Sequence, residues 1–271
     1  MSQNSSPPGA DAVRRARNSR AVRGLARGGY VASGVLHLLV GWLAVQLALG
    51  QSEGQADQTG AFRAVARMPG GDVLLWLVAV GFAALAFWQL ATAVVGVPNA
   101  ESQLAARGKS VAKAVLYGAL AVTGVRYAQG TGGGSGGEES LTARVLAVPG
   151  GAWLVGAAGL VIVGVGVYHV VKGIRKKFLE DLSGAGGSAV RPVVVRLGQA
   201  GYTAKGIALG VVGGLVVAAA VTTDPEQAGG LDEALHTMRD QPYGTALLLV
   251  VGLGIAAFGG YSFARARFAR L

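Results

Sequence analysis

The chain has 271 residues, 52% of them hydrophobic and 14% charged, with a formal net charge of +10 and a positive mean hydropathy. Soluble domains carry about 25% charged residues, so this shortfall excludes a large soluble core and points to an integral membrane protein. No cysteine is present, which excludes disulfides, thiolate catalysis, cysteine zinc sites and iron–sulfur clusters together.

The first segment, residues 1–22, is polar and rich in arginine. It lacks the short apolar region and small-residue cleavage site of a secretory leader, so no cleavable signal peptide is expected. It reads as a basic, disordered or loosely helical cytoplasmic N-terminus. One pattern then recurs three times, over residues 23–100, 101–183 and 190–271, with a flexible Gly/Ser linker at 184–189. Each copy begins with a small-residue motif: Ala26-Arg27-Gly28-Gly29-Tyr30, Ala106-Arg107-Gly108-Lys109-Ser110, and Gly198-Gln199-Ala200-Gly201-Tyr202. Each then carries a Pro-x-Gly: Pro69-Gly70-Gly71, Pro149-Gly150-Gly151 and Pro242-Tyr243-Gly244. A second apolar stretch ends in Trp88-Gln89, Tyr168-His169 or Tyr261-Ser262.

Residues 28–52, 73–100, 145–171, 206–223 and 241–264 contain no Asp, Glu, Lys or Arg. A membrane span needs roughly 20 apolar residues; the stretch after Lys205 reaches that length if the lysine snorkels. Between Lys113 and Arg126 only twelve residues are uncharged, and a span is expected there because the repeat demands one. The expected spans are about 30–50, 73–95, 110–128, 151–172, 202–222 and 244–264, giving an all-α integral membrane protein with six transmembrane helices in three two-helix repeats. With the N-terminus cytoplasmic, sixteen Lys and Arg of the connecting segments lie inside and four (Arg63, Arg67, Arg144, Arg239) outside. That bias places both termini in the cytoplasm, and anionic inner-leaflet lipid accounts for the basic excess without nucleic acid.

Before each Pro-x-Gly, apolar residues at helical spacing (Phe62, Val65, Ala66; Leu141, Val145, Leu146; Leu231, Leu235, Met238) predict a short amphipathic helix at the outer surface. Proline stops it and glycine permits the turn into the second span. The run Gly132–Gly137 reads as slack in an outer loop. Two spans per copy keep every copy in the same orientation, so the repeats are expected about a pseudo-threefold axis along the membrane normal rather than inverted. Gly206, Gly210 and Gly214, four residues apart, predict close helix packing.

Three pairs of membrane helices, glycine-rich openings and a Pro-x-Gly before each second helix resemble the bacterial domain of unknown function 1206 family, over residues 23 to 265. The third copy departs most, with Tyr243 where the others have glycine. The resemblance implies a bacterial inner-membrane protein, with an actinobacterial flavour in its Ala/Gly/Val/Arg-rich composition. It implies no activity and carries no functional residues.

Aligning the first helices puts Ser33, Lys113 and Lys205 at one level and His37, Tyr117 and Leu209 a turn beyond. The second helices return Gln89, Tyr168 and His169 to the same leaflet. Lys113, Lys205, His37, Tyr117, Gln89, Tyr168 and His169 therefore form a candidate inner-leaflet layer for a ligand or lipid, since ionisable groups in a bilayer are costly. Snorkelling lysines and interfacial aromatics explain the same residues. His37 and His169 also suggest a paired-histidine haem site, whereas His236 reads as a solvated loop residue. Gly108-Lys109-Ser110 lacks the earlier glycine and strand of a phosphate loop. Asp72 is expected to cap the second span. No nucleophile–base–acid set, resident cofactor or metal site is identified, so no enzyme is expected. The first reading is a structural or interaction protein associated with lipid or a membrane partner. The alternative is a transporter, channel or small-ligand binder using the inner-leaflet layer, and the weakest is a b-type haem redox protein.

Overall fold

The computed structural model describes residues 20–51, 55–96, 102–132, 137–182, 192–228 and 230–269. The basic segment up to residue 19, the centre of the glycine run (133–136) and the linker 184–189 lie outside them. Every regular element among the described residues is helical: α1 (Arg20–Ala48), α2 (Gln58–Ala66), α3 (Gly71–Val95), α4 (Gln103–Ala128), α5 (Gly137–Leu146), α6 (Gly151–Ile174), α7 (Pro192–Thr222), α8 (Leu231–Arg239) and α9 (Gly244–Phe268). Two short 3-10 segments, Lys177–Asp181 and Pro225–Gln227, complete them. The order is long–short–long three times, and the short helices α2, α5 and α8 occur where the apolar spacing predicts them.

Among the described residues five helices are long and apolar enough to cross a membrane: α1 from Arg23, α3, α6, α7 and α9. This is the pattern of a multi-pass membrane protein. Helix α4 has 26 residues but is not among them; Arg107, Lys109, Lys113 and Arg126 dilute its apolar content. Its N-cap is Ser102, whose hydroxyl oxygen accepts the Ala105 N–H at 3.3 Å.

Each Pro-x-Gly builds the same turn. The N–H groups of Gly71, Gly151 and Gly244 donate to the carbonyls of Met68, Val148 and Gln241 at 2.9, 2.9 and 2.8 Å. The residue before them is left-handed in all three, at φ 71° in Gly70, 79° in Gly150 and 61° in Tyr243. An added Cβ on Gly71, Gly151 or Gly244 would collide with the carbonyl of Val65, Val145 or Arg239. Asp72 does not cap α3. Gly70 holds the N-cap position without a side-chain bond, and Asp72 sits in the first turn, where it complements the helix dipole.

The chain divides into two compact units that cut across the repeats. The first comprises residues up to Ser33, Val65–Gly132 and Arg265 onward. In it α1 meets α3 where a Cβ on Gly81 would lie 3.1 Å from the Gly29 Cα. The Arg265 guanidinium covers the Tyr30 ring at 4.4 Å and donates to its hydroxyl at 3.2 Å.

The second unit comprises Gly34–Ala64 and Gly133–Ala264. Here α6 and α7 touch backbone to backbone: a Cβ on Gly166 would lie 2.7 Å from the Gly206 carbonyl, and one on Gly159 3.0 Å from the Gly213 carbonyl. Helices α1 and α9 repeat this contact, since a Cβ on Gly259 would lie 2.8 Å from the Gly34 carbonyl and one on Gly41 2.6 Å from the Gly252 carbonyl. Aligned on Tyr30 and Tyr202, Gly34 and Gly41 correspond to Gly206 and Gly213. Aligned on the Pro-x-Gly, Gly252 and Gly259 correspond to Gly159 and Gly166. The two interfaces are therefore one interface built twice. Its glycines recur every seven residues, the period of helices crossing at a shallow left-handed angle. The four-residue stripe expected on α7 is used in part: a Cβ on Gly166 would also lie 2.9 Å from the Gly210 N, whereas one on Gly214 would meet nothing within 4 Å.

Candidate functional site

In the second unit the glycine contacts fix the rotation of α1 and α7. Helix α9 comes so close to α7 that a Cβ on Gly201 would lie 2.5 Å from the Phe258 Cα. Phe258 is thereby held against both other helices. The Lys205 ammonium sits 4.5 Å above its ring centroid, and the His37 ring lies 4.8 Å away, centre to centre. Lys205 Nζ is 3.2 Å from His37 Nε2. With the ammonium donating, Nε2 accepts and the imidazole proton stays on Nδ1. Both side chains are half-buried.

His37 and Lys205 line one end of a cavity of about 400 Å³, within the size range of small-molecule sites, about 300–1,000 Å³. Its walls are apolar: Val40 from α1, Ile162 from α6, Leu209, Val212 and Val216 from α7. Gln58 and Thr142, from the short helices α2 and α5, reach its far end. No acidic side chain is among the residues lining it.

Asp57 and Asp232 lie beside the Gln58 end. Asp232 Oδ1 accepts the Ala56 N–H at 2.7 Å, and Asp57 Oδ1 accepts the Gly60 N–H at 2.7 Å. Burial pushes the Asp57 carboxyl above its ordinary value of 3.8 and the neighbouring Asp232 carboxylate adds to this, against lowering hydrogen bonds from Gly60 and Thr59. His236, expected to be simply solvated, is half-buried; its Nδ1–H donates to the Asp232 carbonyl at 3.0 Å.

The seven residues of the expected polar layer have different fates. His37 and Lys205 meet. His169, also in the second unit, donates from Nδ1 to the Val165 carbonyl at 2.8 Å and stacks on Tyr202 at 5.7 Å. Tyr168 is exposed and edge-on to His169. In the first unit Gln89 is buried, Tyr117 stacks on Phe82 at 6.0 Å and Lys113 is exposed. Sequence reasoning missed Phe258, Gln58 and Thr142. Phe258 carries no mark distinguishing it from any apolar span residue, and the other two come from short helices whose fold-back over the cavity is not encoded locally.

A second cluster closes the end of α6. Phe178, in the 3-10 segment, is fully buried and stacks on Tyr202 at 5.5 Å, and Tyr261 donates its hydroxyl to the Phe178 carbonyl at 3.0 Å. Lys172 and Asp181 pair at 2.7 Å across the segment. A Cβ on Gly198 would strike the Phe178 ring. These contacts are all satisfied packing. Among the described residues no group of three or more His, Asp or Glu is placed to hold a metal ion.

The family model described as Domain of Unknown Function (DUF1206) matches three consecutive segments, residues 28–96, 108–176 and 200–269. The chain belongs to this family, as three tandem copies of its domain. It is similar to the uncharacterized protein YxxB of Bacillus subtilis (strain 168), with 29% identity over 245 residues that cover 89% of each chain. No solved structure matches the chain.

Proposed function

We propose that the protein is a ligand-binding protein of the bacterial inner membrane, with six spans, cytoplasmic termini and three repeats about a pseudo-threefold axis, and that it binds or carries a small molecule rather than transforming one. The orientation rests on the sixteen-to-four distribution of basic residues. The pseudo-symmetry is supported by the duplicated glycine interface of α1 with α9 and α6 with α7. At the corresponding positions of α3 and α4 stand Ala79, Ala86, Ala114 and Ala121, an alanine version of the same small-residue contact. Helix α4 then serves as the sixth span, its lysines and arginines reaching the two interfaces.

The observation that carries the functional reading is the Lys205–His37 contact at the end of an apolar cavity. A purely structural role accounts for the glycine interfaces and leaves this cavity without a purpose. A paired-histidine haem site is less well supported, because His37 Nε2 faces the Lys205 ammonium and His169 is engaged with Val165 and Tyr202.

Filling the cavity tests the reading. Val212→Phe places a ring in the space, and the wild type is expected to carry a discrete non-covalent mass through mild purification that this variant has lost while keeping its helical circular dichroism. An identical adduct in both would contradict ligand binding in this cavity.

A further inference from the structure

Between its two polar ends the cavity has the walls of a hydrocarbon site. Lys205 and Val216 both line it, and along α7 they stand roughly 16 Å apart by helix rise. The shaft between is walled by Val40 from α1, Ile162 from α6, Leu209 and Val212 from α7, and Ile255 from α9. Among the described lining residues, none between the ends has a hydrogen-bonding side chain, and none is Phe, Tyr or Trp. Lys205 and His37 are engaged with each other and with Phe258, so the argument for the occupant comes from the shaft. A polar molecule lying there would leave its hydrogen-bonding groups unpaired, which is costly. Water meets the same difficulty, since a buried water needs two or more polar partners. A flat ring system would find no aromatic face to stack on. Left empty, the shaft forfeits the dispersion contacts of its own walls. An aliphatic chain fills it with no group left unpaired.

Resting on the ligand-binding reading above, we infer that the cavity binds a lipid by one aliphatic chain, laid along α7 between Lys205 and Val216. The length agrees with this occupant. The hydrocarbon core of a bilayer is about 30 Å thick, so a shaft of roughly 16 Å is as deep as one leaflet, the depth that one lipid chain spans. The volume of about 400 Å³ holds a single chain rather than a whole two-chain lipid, whose second chain stays in the bilayer. The hydrophilic part of the molecule lies at an end of the shaft, where the lining turns polar. Chains of the surrounding bilayer are as apolar as the walls, so occupancy is decided by packing and shape rather than by removal from water. A ring built into the shaft therefore excludes the chain. The same chain chemistry is found in a phospholipid and in a single-chain lipid.

The full chain is reconstituted in phosphatidylcholine nanodiscs doped with one of two probes: a phosphatidylcholine carrying a diazirine near the end of one chain, or a diazirine-bearing dodecanol. After irradiation the labelled residues are mapped by peptide mass spectrometry. Val250, an exposed residue of α9, reports contact with bulk lipid. In the wild type, label is expected on Ile162, Leu209 and Val212 of the wall as well as on Val250. Val212→Phe and, independently, Val216→Phe are expected to lose the wall label while keeping the Val250 label and their helical circular dichroism. Wall labelling by the phospholipid probe assigns a phospholipid chain, and labelling by the dodecanol alone assigns a single-chain lipid; both support the inference. Wall label that persists in both variants contradicts a chain in this cavity. Wall label absent from the wild type, with a purified adduct that Val212→Phe removes, overturns the lipid chain and leaves a ligand site. Neither wall label nor adduct on the wild type overturns the ligand-binding reading itself.

Discussion

Lys205 and His37 stand 168 positions apart in the chain and their nitrogens lie 3.2 Å apart in the fold. Two basic groups are brought together where α1 and α7 both lean on Phe258, and neither is at the end of its helix. Replacing His37 by Ala leaves the lysine short of one acceptor at a half-buried position, a loss of about 1–3 kcal/mol. His37→Gln, which offers a carbonyl oxygen, is expected to recover part of it. Unfolding of the three proteins in the same lipid checks the order wild type, Gln, Ala.

The duplicated glycine interface gives a paired test. Gly166→Ala forces a methyl against the Gly206 carbonyl and Gly259→Ala forces one against the Gly34 carbonyl. Each is expected to destabilise by about 1–3 kcal/mol, the usual range for overpacking. Gly164→Ala, whose methyl would meet nothing within 4 Å, is expected to be neutral or slightly stabilising, since alanine is the better helix former. Thermal unfolding midpoints separate the two classes.

Tyr243 occupies at φ 61° the turn position that glycine holds in the other two repeats. A non-glycine residue there costs about 1–2 kcal/mol, and the exposed tyrosine ring gains little packing in return. Tyr243→Gly is therefore expected to raise the unfolding midpoint, by an amount reduced by the greater freedom of glycine in the unfolded chain. Gly150→Tyr should lower it.

Asp57 makes stability depend on pH outside the spans. Its carboxyl titrates above 3.8 in the folded protein because it is partly buried and faces Asp232. Above 3.8 the folded state holds the proton more tightly than the unfolded state, so the contribution of Asp57 to stability falls as pH rises through that interval and levels off beyond its raised value. Asp57→Asn keeps an acceptor for the Gly60 N–H and removes the ionisation. Its unfolding midpoint should vary less between pH 4 and neutrality than that of the wild type, and the variant should be the more stable at neutral pH.

Helix positions were legible in the sequence because composition and spacing report them directly. The short helices α2 and α8 follow from Phe62, Leu235 and Met238, and all three are buried. The Pro-x-Gly turns follow from their residues. What the sequence did not carry is rotation about each helix axis. Aligning the repeats puts His37 one turn beyond Lys205 in level, yet whether the two face each other depends on Gly34 meeting Gly259 and Gly206 meeting Gly166, contacts between distant segments. The same gap explains the misreading of Gly214: a stripe of small residues shows where close approach is permitted, and the partner helix decides which members of it are used. Asp72 illustrates a smaller version, since Gly70 took the N-cap position.

The orientation has a direct check, because the chain has no cysteine of its own. Ser135→Cys, between α4 and α5 in the sequence, is expected to react with a membrane-impermeant maleimide in intact cells. Reaction after lysis alone would reverse the assignment of inside and outside.

The most direct test of the cavity as a ligand site is a native mass spectrum of the wild type beside Lys205→Gln and Lys205→Arg, all purified in the same mild detergent. The wild type is expected to retain a discrete adduct, Lys205→Arg to retain it in part, and Lys205→Gln to lose it. An adduct of the same mass and occupancy on all three, or none on the wild type, would contradict the assignment of Lys205 as the residue that holds the ligand.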